Sequence, residues 1–513
     1  MRWAALAFGA ALACAAPAQG AWRQATTDHF IIYSEASPKW LEAFATKLER
    51  FDKAIRVLRG VSDPPLGLSN RLTIFVLDDT AAVQKLYGKG GRDVGGFYMG
   101  SATGSVVFTP RSSDDSGEYP LSEQIVLFHE YAHHFMLGNY EGALPAWLIE
   151  GYAEFHSTAR DEKDGSLGIG IPAFHRGYSL MNAPVLPIEK LLTASPGDLK
   201  PTELEALYGR GWLLTHYLTF EGSRAGQLKT YLNQLNGGTA SIDAAKKAFG
   251  DLSELQKDLN TYLRRPKFSY QKILPSAIKI GNIAVRELSP GEDAVMEVRI
   301  RSKRGVNDAQ AKALLPLARK AAAPYPNVVL AQTTLAEAEY DAGNYREAEA
   351  AADRALAVDP KAVEALIYKG RARMAMAVAT KATDSKTWLE VRKWFSAANR
   401  ADPEDPEPLM LYYTSFRAAG IAPTKNASEG LAYALVLAPQ DRSLRWMTGY
   451  QHLQDGRAAA ARAALAPLAF DPHGGGGAEW AGKILAKLGS GGVAAALAEW
   501  KQMEKAAEGA TAG

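Results

Sequence analysis

In the first 120 residues, short β-rich runs alternate with segments whose apolar residues recur at the period of a helix. This pattern predicts short strands and helices. The segments HFIIYS (29–34) and RLTIFVLD (71–78) are rich in β-branched and aromatic residues, which is typical of strands. Between them, PKWLEAFATKLERFDKAIRVLRG has the 3.6-residue period of a helix that ends at Gly60. The segment GGFYMGSATGSVVFTP (95–110) contains two β-rich runs around a Gly/Ser turn and predicts a hairpin. This part of the chain is therefore expected to form a small α/β layer.

The pattern changes twice more along the chain. From Pro145 to about Leu263 it is mostly helical, except for a stretch rich in Gly and Pro, GSLGIGIPAFHRGY. Residues 266–304 alternate between apolar and polar positions and predict a small sheet or connector. The remaining residues are rich in Ala and helical in pattern. We therefore expect one α+β unit, a short β connector and an all-helical part.

The helical part contains a repeat. The segment 335–360 matches the tetratricopeptide spacing at Leu335, Ala336, Gly343, Tyr345, Ala348, Ala355 and Pro360. Closing prolines recur at Pro326, Pro360, Pro403, Pro439 and Pro472. The first interval of 34 residues equals the repeat's own period, and the next interval of 43 residues contains VATKATDSK, which predicts an insertion between paired helices. The alternative is a generic Ala-rich helical bundle.

The N-terminus has the pattern of a secretory signal peptide. An arginine precedes an apolar run from Trp3 to Ala16, and small residues follow as far as Gly20. The run is too short for a membrane span, and no other stretch is long and apolar enough. With Ala11 three residues before Cys14, the sequence favours simple cleavage over lipid attachment. We expect an exported chain, periplasmic or secreted, whose mature form has neither a cysteine nor a transmembrane segment.

Composition and charge exclude some partners and some kinds of metal site. The chain is 47% hydrophobic and 22% charged, which is ordinary for a globular protein with buried cores. Its 58 basic and 56 acidic residues leave a net charge of +2 without a clustered basic stripe, so nucleic acid is not an expected partner. Because the only cysteine lies in the signal segment, a metal site in the mature chain must use His and carboxylates.

One predicted helix, IVLFHEYAHHFML (125–137), contains side chains that could bind a metal ion. His129 and His133 lie one turn apart on the same face, so each can offer a ring nitrogen to a single ion. Glu130 lies beside this pair and can reach a water molecule at the metal, which is the H-E-x-x-H arrangement of two ligands and a general base. The alternative is an amphipathic helix whose histidines are packed or surface residues.

A second predicted helix supplies a third ligand. The segment PAWLIEGYAEF (145–155) places Glu150 on a helix that can pack antiparallel to the first, since only Gly138 to Leu144 join them. Glu154 lies one turn further along the same face, where it can accept the second N–H of a ligating histidine. Three protein ligands would leave the fourth position of zinc open to water.

HEYAHH followed by WLIEGYAEF resembles the gluzincin metallopeptidases, specifically the peptidase MA-like group. The resemblance implies one zinc ion held by His129, His133 and Glu150, with Glu130 as catalytic base. It covers roughly residues 25–265, and the predicted hairpin fits the family's edge strand beside the zinc helix. The spacing between the second histidine and the glutamate is shorter than in the aminopeptidase branch, and that branch's glycine-rich motif is not seen. The resemblance therefore favours an endopeptidase.

Other residues are candidates for the same chemistry. Family members often use a Tyr or His to stabilise the oxyanion, and Tyr208 or His216 in LYGRGWLLTHYL could do so; helix packing is the alternative for both. Tyr208 is the preferred candidate. His134 faces away from the i, i+4 pair and His156 lies beyond the second-helix site, so neither is an expected ligand.

These patterns predict an α+β zincin-like metallopeptidase domain followed by an all-α tetratricopeptide-like helical solenoid. The predicted bounds are 1–20 for the signal peptide, 21–265 for the peptidase domain, 266–305 for the β connector and 306–513 for the repeats. The expected function is an exported zinc peptidase that hydrolyses a peptide or protein substrate, with repeats that recruit the substrate or a protein partner. The alternative is a non-catalytic cell-envelope scaffold with a structural or vestigial zinc site. The presence of Glu130 favours the enzyme, because a structural site needs no base.

Overall fold

The computed structural model describes residues 21–113, 118–140, 142–194, 197, 199–471 and 475–511. The predicted signal segment with Cys14 and the last closing proline, Pro472, lie outside the described residues. Across the described part of the chain, no helix combines the length and hydropathy needed to span a membrane. The signal peptide and the export that it implies stay predictions.

The N-terminal part is built on two sheets. Their strands are β1 (Arg23–Thr26), β2 (Phe30–Ser34), β3 (Leu72–Leu77), β4 (Phe97–Met99), β5 (Val106–Pro110), β6 (Arg160–Asp161), β7 (Leu167–Ile169), β8 (Gln271–Ile273) and β9 (Ala284–Glu287). The larger sheet has the order β4-β5-β3-β2-β1-β9, and β2, β3 and β5 run parallel at its centre. The smaller sheet has the order β6-β7-β8. Strands β4 and β5 form the predicted antiparallel hairpin, with β4 at the sheet edge.

Ten helices surround these sheets in the described residues. They are α1 (Pro38–Arg59), α2 (Thr80–Tyr87), α3 (Glu123–Asn139), α4 (Ala146–Ser157), α5 (Gly177–Met181), α6 (Ile188–Thr193), α7 (Pro201–Phe220), α8 (Gln227–Asn236), α9 (Ser241–Phe249) and α10 (Leu252–Leu263). The H-E-x-x-H helix α3 packs on α1, where the rings of Phe51 and Phe128 stack with centroids 3.8 Å apart. It begins at Ser122, whose hydroxyl accepts a hydrogen bond from the amide of Ile125. Helix α3 also packs on α4.

Helices α4 and α7 approach closely at a pair of glycines. A Cβ atom added to Gly151 would lie 2.3 Å from the carbonyl oxygen of Gly211. Likewise, one added to Gly211 would lie 2.6 Å from the carbonyl oxygen of Trp147. Because glycine has no side chain, the two buried helix backbones can meet at this point. The contact brings α7 beside Glu150 of α4.

We expect Gly151→Ala to destabilise the folded protein by about 3 kcal/mol, because a methyl group cannot be accommodated against backbone without moving α7. Urea denaturation followed by tryptophan fluorescence would measure this. Gly138→Ala is the matched control, since Gly138 lies in α3 with nothing within 4 Å of an added Cβ atom. It should be neutral or stabilise by up to about 1 kcal/mol through helix propensity. Equal stability of Gly151→Ala and the unmodified protein would contradict the close packing.

Residues 266–305 do not form a separate small sheet. Instead, β8 pairs with β7 and β9 pairs with β1, so the segment completes both sheets of the N-terminal part. The prediction of β structure was wrong for its second half, which forms α11 (Pro290–Asp293) and α12 (Met296–Lys303). The alternation has a physical cause: Met296 and Ile300 pack against the larger sheet, whereas Val298 packs into the helical part. Because α12 is buried on two sides, its apolar residues recur at every second position, as they would in a strand.

The C-terminal part is all helical in the described residues. Its helices are α13 (Asp308–Ala322), α14 (Val329–Asp341), α15 (Tyr345–Val358), α16 (Val363–Ala379), α17 (Ser385–Ala401), α18 (Pro406–Ala418), α19 (Lys425–Leu437), α20 (Arg442–Gln454), α21 (Ala458–Ala469) and α22 (Gly475–Thr511). The last of these is two helical segments that meet at a kink, where Gly492 has a φ of 69°. Consecutive helices pack on one another from α13 to α22, so α14 to α21 form four helix pairs. We refer to this part as the repeat array.

The long interval after Pro360 comes mainly from longer helices and only in part from a loop insertion. Helices α16 and α17 have 17 residues each, whereas α14 and α15 have 13 and 14. Most of the extra residues therefore lengthen the two helices, and only residues 380–384 separate them. The insertion predicted in VATKATDSK is therefore present in part: the loop at residues 380–384 lies inside this segment and has five residues, where three (342–344) separate α14 from α15.

Candidate metal centre

Helices α3 and α4 bring three predicted ligands to one point. The Nε2 atoms of His129 and His133 lie 3.0 Å apart. The Oε2 atom of Glu150 lies 3.4 Å from the first nitrogen and 3.5 Å from the second. All three donor atoms thus lie within 4.8 Å of one another, and they come from both predicted helices.

The donor atoms have the spacing that zinc requires. A tetrahedral ion with ligands at about 2.0–2.1 Å separates neighbouring donors by about 3.3 Å, close to the distances of 3.0, 3.4 and 3.5 Å between the three atoms. Two imidazoles and a carboxylate are also a known catalytic zinc set. The residues present therefore fit a zinc ion.

The electrostatics of the centre favour a cation. Although burial opposes it, hydrogen bonds to Glu150 and Glu154 raise the pKa of His129 to about 10. A site that holds a proton this firmly has a negative potential, which a metal ion can satisfy in place of the proton. The side chain of Glu150 is only 1% exposed, so little solvent screens its charge.

Glu154 orients the first histidine. Its Oε1 atom lies 3.2 Å from Nδ1 of His129, on the side of the ring away from Glu150. A proton on Nδ1 can then be donated to Glu154, which leaves the lone pair of Nε2 directed at the other two donors. Glu154 is fully buried, yet Arg176 and the rings of His129 and His175 hold its pKa well below its ordinary value.

Two partners of Glu154 were missed in the sequence. His175 Nε2 donates to Oε2 of Glu154 at 2.6 Å, and Arg176 donates to Oε1 at 2.7 Å. Both residues belong to GSLGIGIPAFHRGY, the stretch that interrupts the helical pattern. Adjacent His and Arg residues in such a break are a usable signal, because they are the side chains that a buried carboxylate needs.

We expect Glu154→Gln to weaken zinc binding about 10- to 100-fold, because the neutral amide no longer fixes the ring of His129. A chelator competition titration would measure the affinity. Glu205→Gln is the matched control: Glu205 also pairs with Arg176, at 3.2 Å, but its side chain is 60% exposed. This substitution should leave the zinc affinity unchanged. The same affinity in both variants would contradict the role of Glu154.

The two predicted catalytic residues border this centre, since Glu130 interacts electrostatically with His129 and Tyr208 with Glu150. Glu130 follows His129 on α3, and its Cγ atom lies 3.8 Å from the position that a Cβ atom of Gly96 would take. The ring of Tyr208, on α7, lies 6.0 Å from the ring of His129 and under the guanidinium of Arg176 at 4.7 Å. The Glu150 carboxylate and burial raise the pKa of Tyr208, and Glu154 and Glu130 add to the rise. Tyr208 is therefore a neutral phenol that can donate a hydrogen bond.

The remaining histidines of this region are packed elsewhere. Nδ1 of His134 lies 3.2 Å from the hydroxyl of Tyr98. His216 bonds through Nδ1 to the hydroxyl of Tyr262 and through Nε2 to backbone carbonyls, and burial lowers its pKa to about 4. His156 is fully buried and bonds to Arg59 and to its own helix. These contacts favour the packing alternative for His216.

A second group of possible ligands lies between α1 and the strand before it. His29, Asp52 and Asp63 bring donor atoms within 4.8 Å of one another. Arg56 pairs with Asp52 at 2.8 Å, and Lys53 pairs with Asp63. Because basic side chains already balance these carboxylates, this group is better described as a buried ion-pair network than as a metal site.

No protein-family model matches the sequence, and no curated protein matches it. Among solved structures, TTC0263, a thermophilic TPR protein of Thermus thermophilus, is 17% identical; the match covers 37% of this chain and 96% of that chain, with a TM-score of 0.32. A structure described as a MamA RS-1 ArsTM double mutant is 18% identical over 33% of this chain and 89% of that chain, with a TM-score of 0.25. Scores of this size do not establish a shared fold, so the repeats rest on the helix pairs of this chain itself.

Proposed function

We propose that this chain is an exported zinc endopeptidase. The observation that supports it most is the triangle of donor atoms from His129, His133 and Glu150, with edges of 3.0 to 3.5 Å. A structural site would need only these three residues and one more ligand. Here the next residue after the first histidine is Glu130, a carboxylate suited to proton transfer. The likeness of the two motifs to gluzincins supports the same proposal.

Each residue of the centre would have a separate role in peptide hydrolysis. When bound, zinc makes a water molecule acidic enough to lose its proton near neutral pH and polarises the scissile carbonyl. Glu130 takes the proton and passes it to the leaving amine. Glu154 holds the ring of His129 in one orientation during this exchange. Tyr208 donates a hydrogen bond to the oxygen on which negative charge develops.

The edge strand β4 suits the binding of an extended peptide. In the described residues it pairs on one side only, with β5, so its other edge can add a strand of substrate. The strand is preceded by Gly96, where a Cβ atom would lie 2.5 Å from the side chain of Val126 on α3. The backbone therefore passes directly over the helix that carries Glu130. Backbone hydrogen bonds along β4 would hold substrates of many sequences.

We expect Tyr208→Phe to lower kcat about 100-fold with little change in KM, because a lost donor matters most where charge develops. Steady-state hydrolysis of a fluorogenic peptide would separate the two constants. Tyr217→Phe is the matched control on the same helix, since the hydroxyl of Tyr217 bonds to Asp258 at 3.3 Å. A Tyr208→Phe enzyme with unchanged kcat would rule out this role.

The repeat array favours a second candidate function, a protein-interaction scaffold with a structural zinc site. Four helix pairs stacked in order present an extended surface, which such arrays use to bind proteins. In the peptidase proposal the same surface recruits a substrate or a protein partner. The two candidates differ in whether the chemistry of Glu130 is needed.

Cleavage of a whole proteome distinguishes them. Purified mature protein would be incubated with a denatured protein mixture, and new N-termini would be counted by mass spectrometry. The peptidase proposal requires new termini with the unmodified protein and none above background with Glu130→Gln. Bound zinc without any new termini would favour the scaffold.

A further inference from the structure

The turn of the β4–β5 hairpin is inserted into the repeat array. We define the hairpin turn as residues 100–105. Ala102, at its tip, is 2% exposed and packs in an apolar cluster with Tyr413 of α18, Leu431 of α19 and Leu444 of α20. The hairpin that borders the candidate metal centre is thus buried at its far end by the C-terminal half of the chain.

One carboxylate of the array bonds to both parts. Asp441 precedes α20, and its Oδ1 atom accepts from the amide of Leu444 at 2.7 Å, which caps the helix. Its Oδ2 atom accepts from the amide of Ala102 at 2.7 Å. The neighbouring Gln440 donates from Nε2 to the hydroxyl of Ser105 at 3.0 Å. Asp441 is 6% exposed, so water competes little for these bonds.

The hairpin in turn contacts α3, the helix that carries His129 and His133. Tyr98, in β4, has its hydroxyl 3.2 Å from Nδ1 of His134, the residue after the ligand His133. A Cβ atom at Gly100 would lie 2.7 Å from that hydroxyl and 2.9 Å from the side chain of Gln440. Contacts therefore run without a gap from Gln440 of the array through Gly100 and Tyr98 to His134 of α3, and a side chain at Gly100 would not fit between them.

We propose that Asp441 is a positioning residue through which the repeat array fixes the edge strand β4 against α3. Strand β4 has three residues and pairs with one neighbour in the described residues, so it has few bonds of its own to resist fraying. Anchoring its turn replaces the missing neighbour. A protein partner that displaced the α19–α20 region would then release the strand, so the array would regulate substrate binding; this last consequence rests on the proposed peptidase function.

Hydrogen exchange of the full mature chain tests the coupling without any assay of activity. Asp441→Ser keeps a helix cap for α20 but is too short to reach Ala102 as well. Asp384→Ser is the matched control, because Asp384 caps α17 through the amide of Thr387 and is exposed. We expect amide exchange in residues 97–105 to rise roughly 3- to 10-fold in Asp441→Ser only. No rise, or an equal rise in both variants, would overturn the proposal.

Peptide hydrolysis supplies a second readout. KM of Asp441→Ser should rise roughly 3- to 10-fold while kcat and zinc content stay unchanged, because the strand binds substrate and takes no part in proton transfer. A fall in kcat with unchanged KM would contradict a role through the strand. If the unmodified protein hydrolyses no peptide, the peptidase proposal fails, and hydrogen exchange alone decides whether the array holds the hairpin.

Discussion

Glu130→Gln should lower kcat/KM for peptide hydrolysis by about 100- to 10,000-fold, the contribution of a well-placed general base. The amide has the shape of the carboxylate but cannot take a proton from water. Because Glu130 is not one of the three converging ligands, the variant should still bind one equivalent of zinc. Loss of activity together with full zinc content is the expected result, measured on one preparation by metal analysis and a fluorogenic peptide.

Glu123→Gln provides the control for this experiment. Glu123 lies in the first turn of the same helix and accepts a hydrogen bond from the hydroxyl of Ser113 at 3.1 Å. The substitution removes the same charge from α3 two turns before Glu130, so its activity should stay within about twofold of the unmodified enzyme. A Glu130→Gln protein with full activity would remove the base from the mechanism and favour the scaffold.

Glu150→Gln should cause a large loss of zinc affinity. A carboxamide has no charge to offer the metal, so zinc affinity should fall more than the 10- to 100-fold expected for Glu154→Gln. The metal-free protein should lose some stability, because the buried histidines keep a weaker partner, but it should stay folded, because the amide is neutral and has the shape of the carboxylate it replaces. The pKa of His129 should also fall from its raised value in the metal-free protein, since the hydrogen bond that His129 donates to Glu150 helps to raise it.

A buried carboxylate outside the centre gives the matched control. Glu49 on α1 is 2% exposed and pairs with His29 at 2.9 Å. Glu49→Gln should cost stability, because it leaves a buried histidine with a weaker partner, yet retain one zinc per chain. Zinc retention measured after dialysis in both variants separates ligand loss from general damage. Equal zinc retention would contradict Glu150 as a ligand.

The convergence of His129, His133 and Glu150 is the part of the structure that the sequence predicts best. Helical period alone puts His129 and His133 on one face, and the short link to α4 limits where Glu150 can lie. The structure brings these atoms together, while the presence of zinc stays a prediction. The hairpin was also predictable, because β-rich runs and a Gly/Ser turn are local signals and β4 and β5 pair in sequence order.

What the sequence could not show depends on packing between distant segments. His175 and Arg176 reach Glu154 from an irregular stretch with no periodicity to place it. Helix α12 lies in the segment 266–304, whose alternation predicted a small sheet or connector, because apolar clusters bury the helix on two sides. The bond between Asp441 and Ala102 joins residues that are 339 positions apart, and no local pattern reports such a contact.

The central claim is that one zinc ion at His129, His133 and Glu150 makes this chain a peptidase. Its most direct test is to titrate zinc into the metal-free mature protein while peptide hydrolysis is recorded. Hydrolysis should rise in proportion to added zinc and reach a plateau at one equivalent per chain. Zinc that binds stoichiometrically while hydrolysis stays at the level of the metal-free protein would contradict the claim.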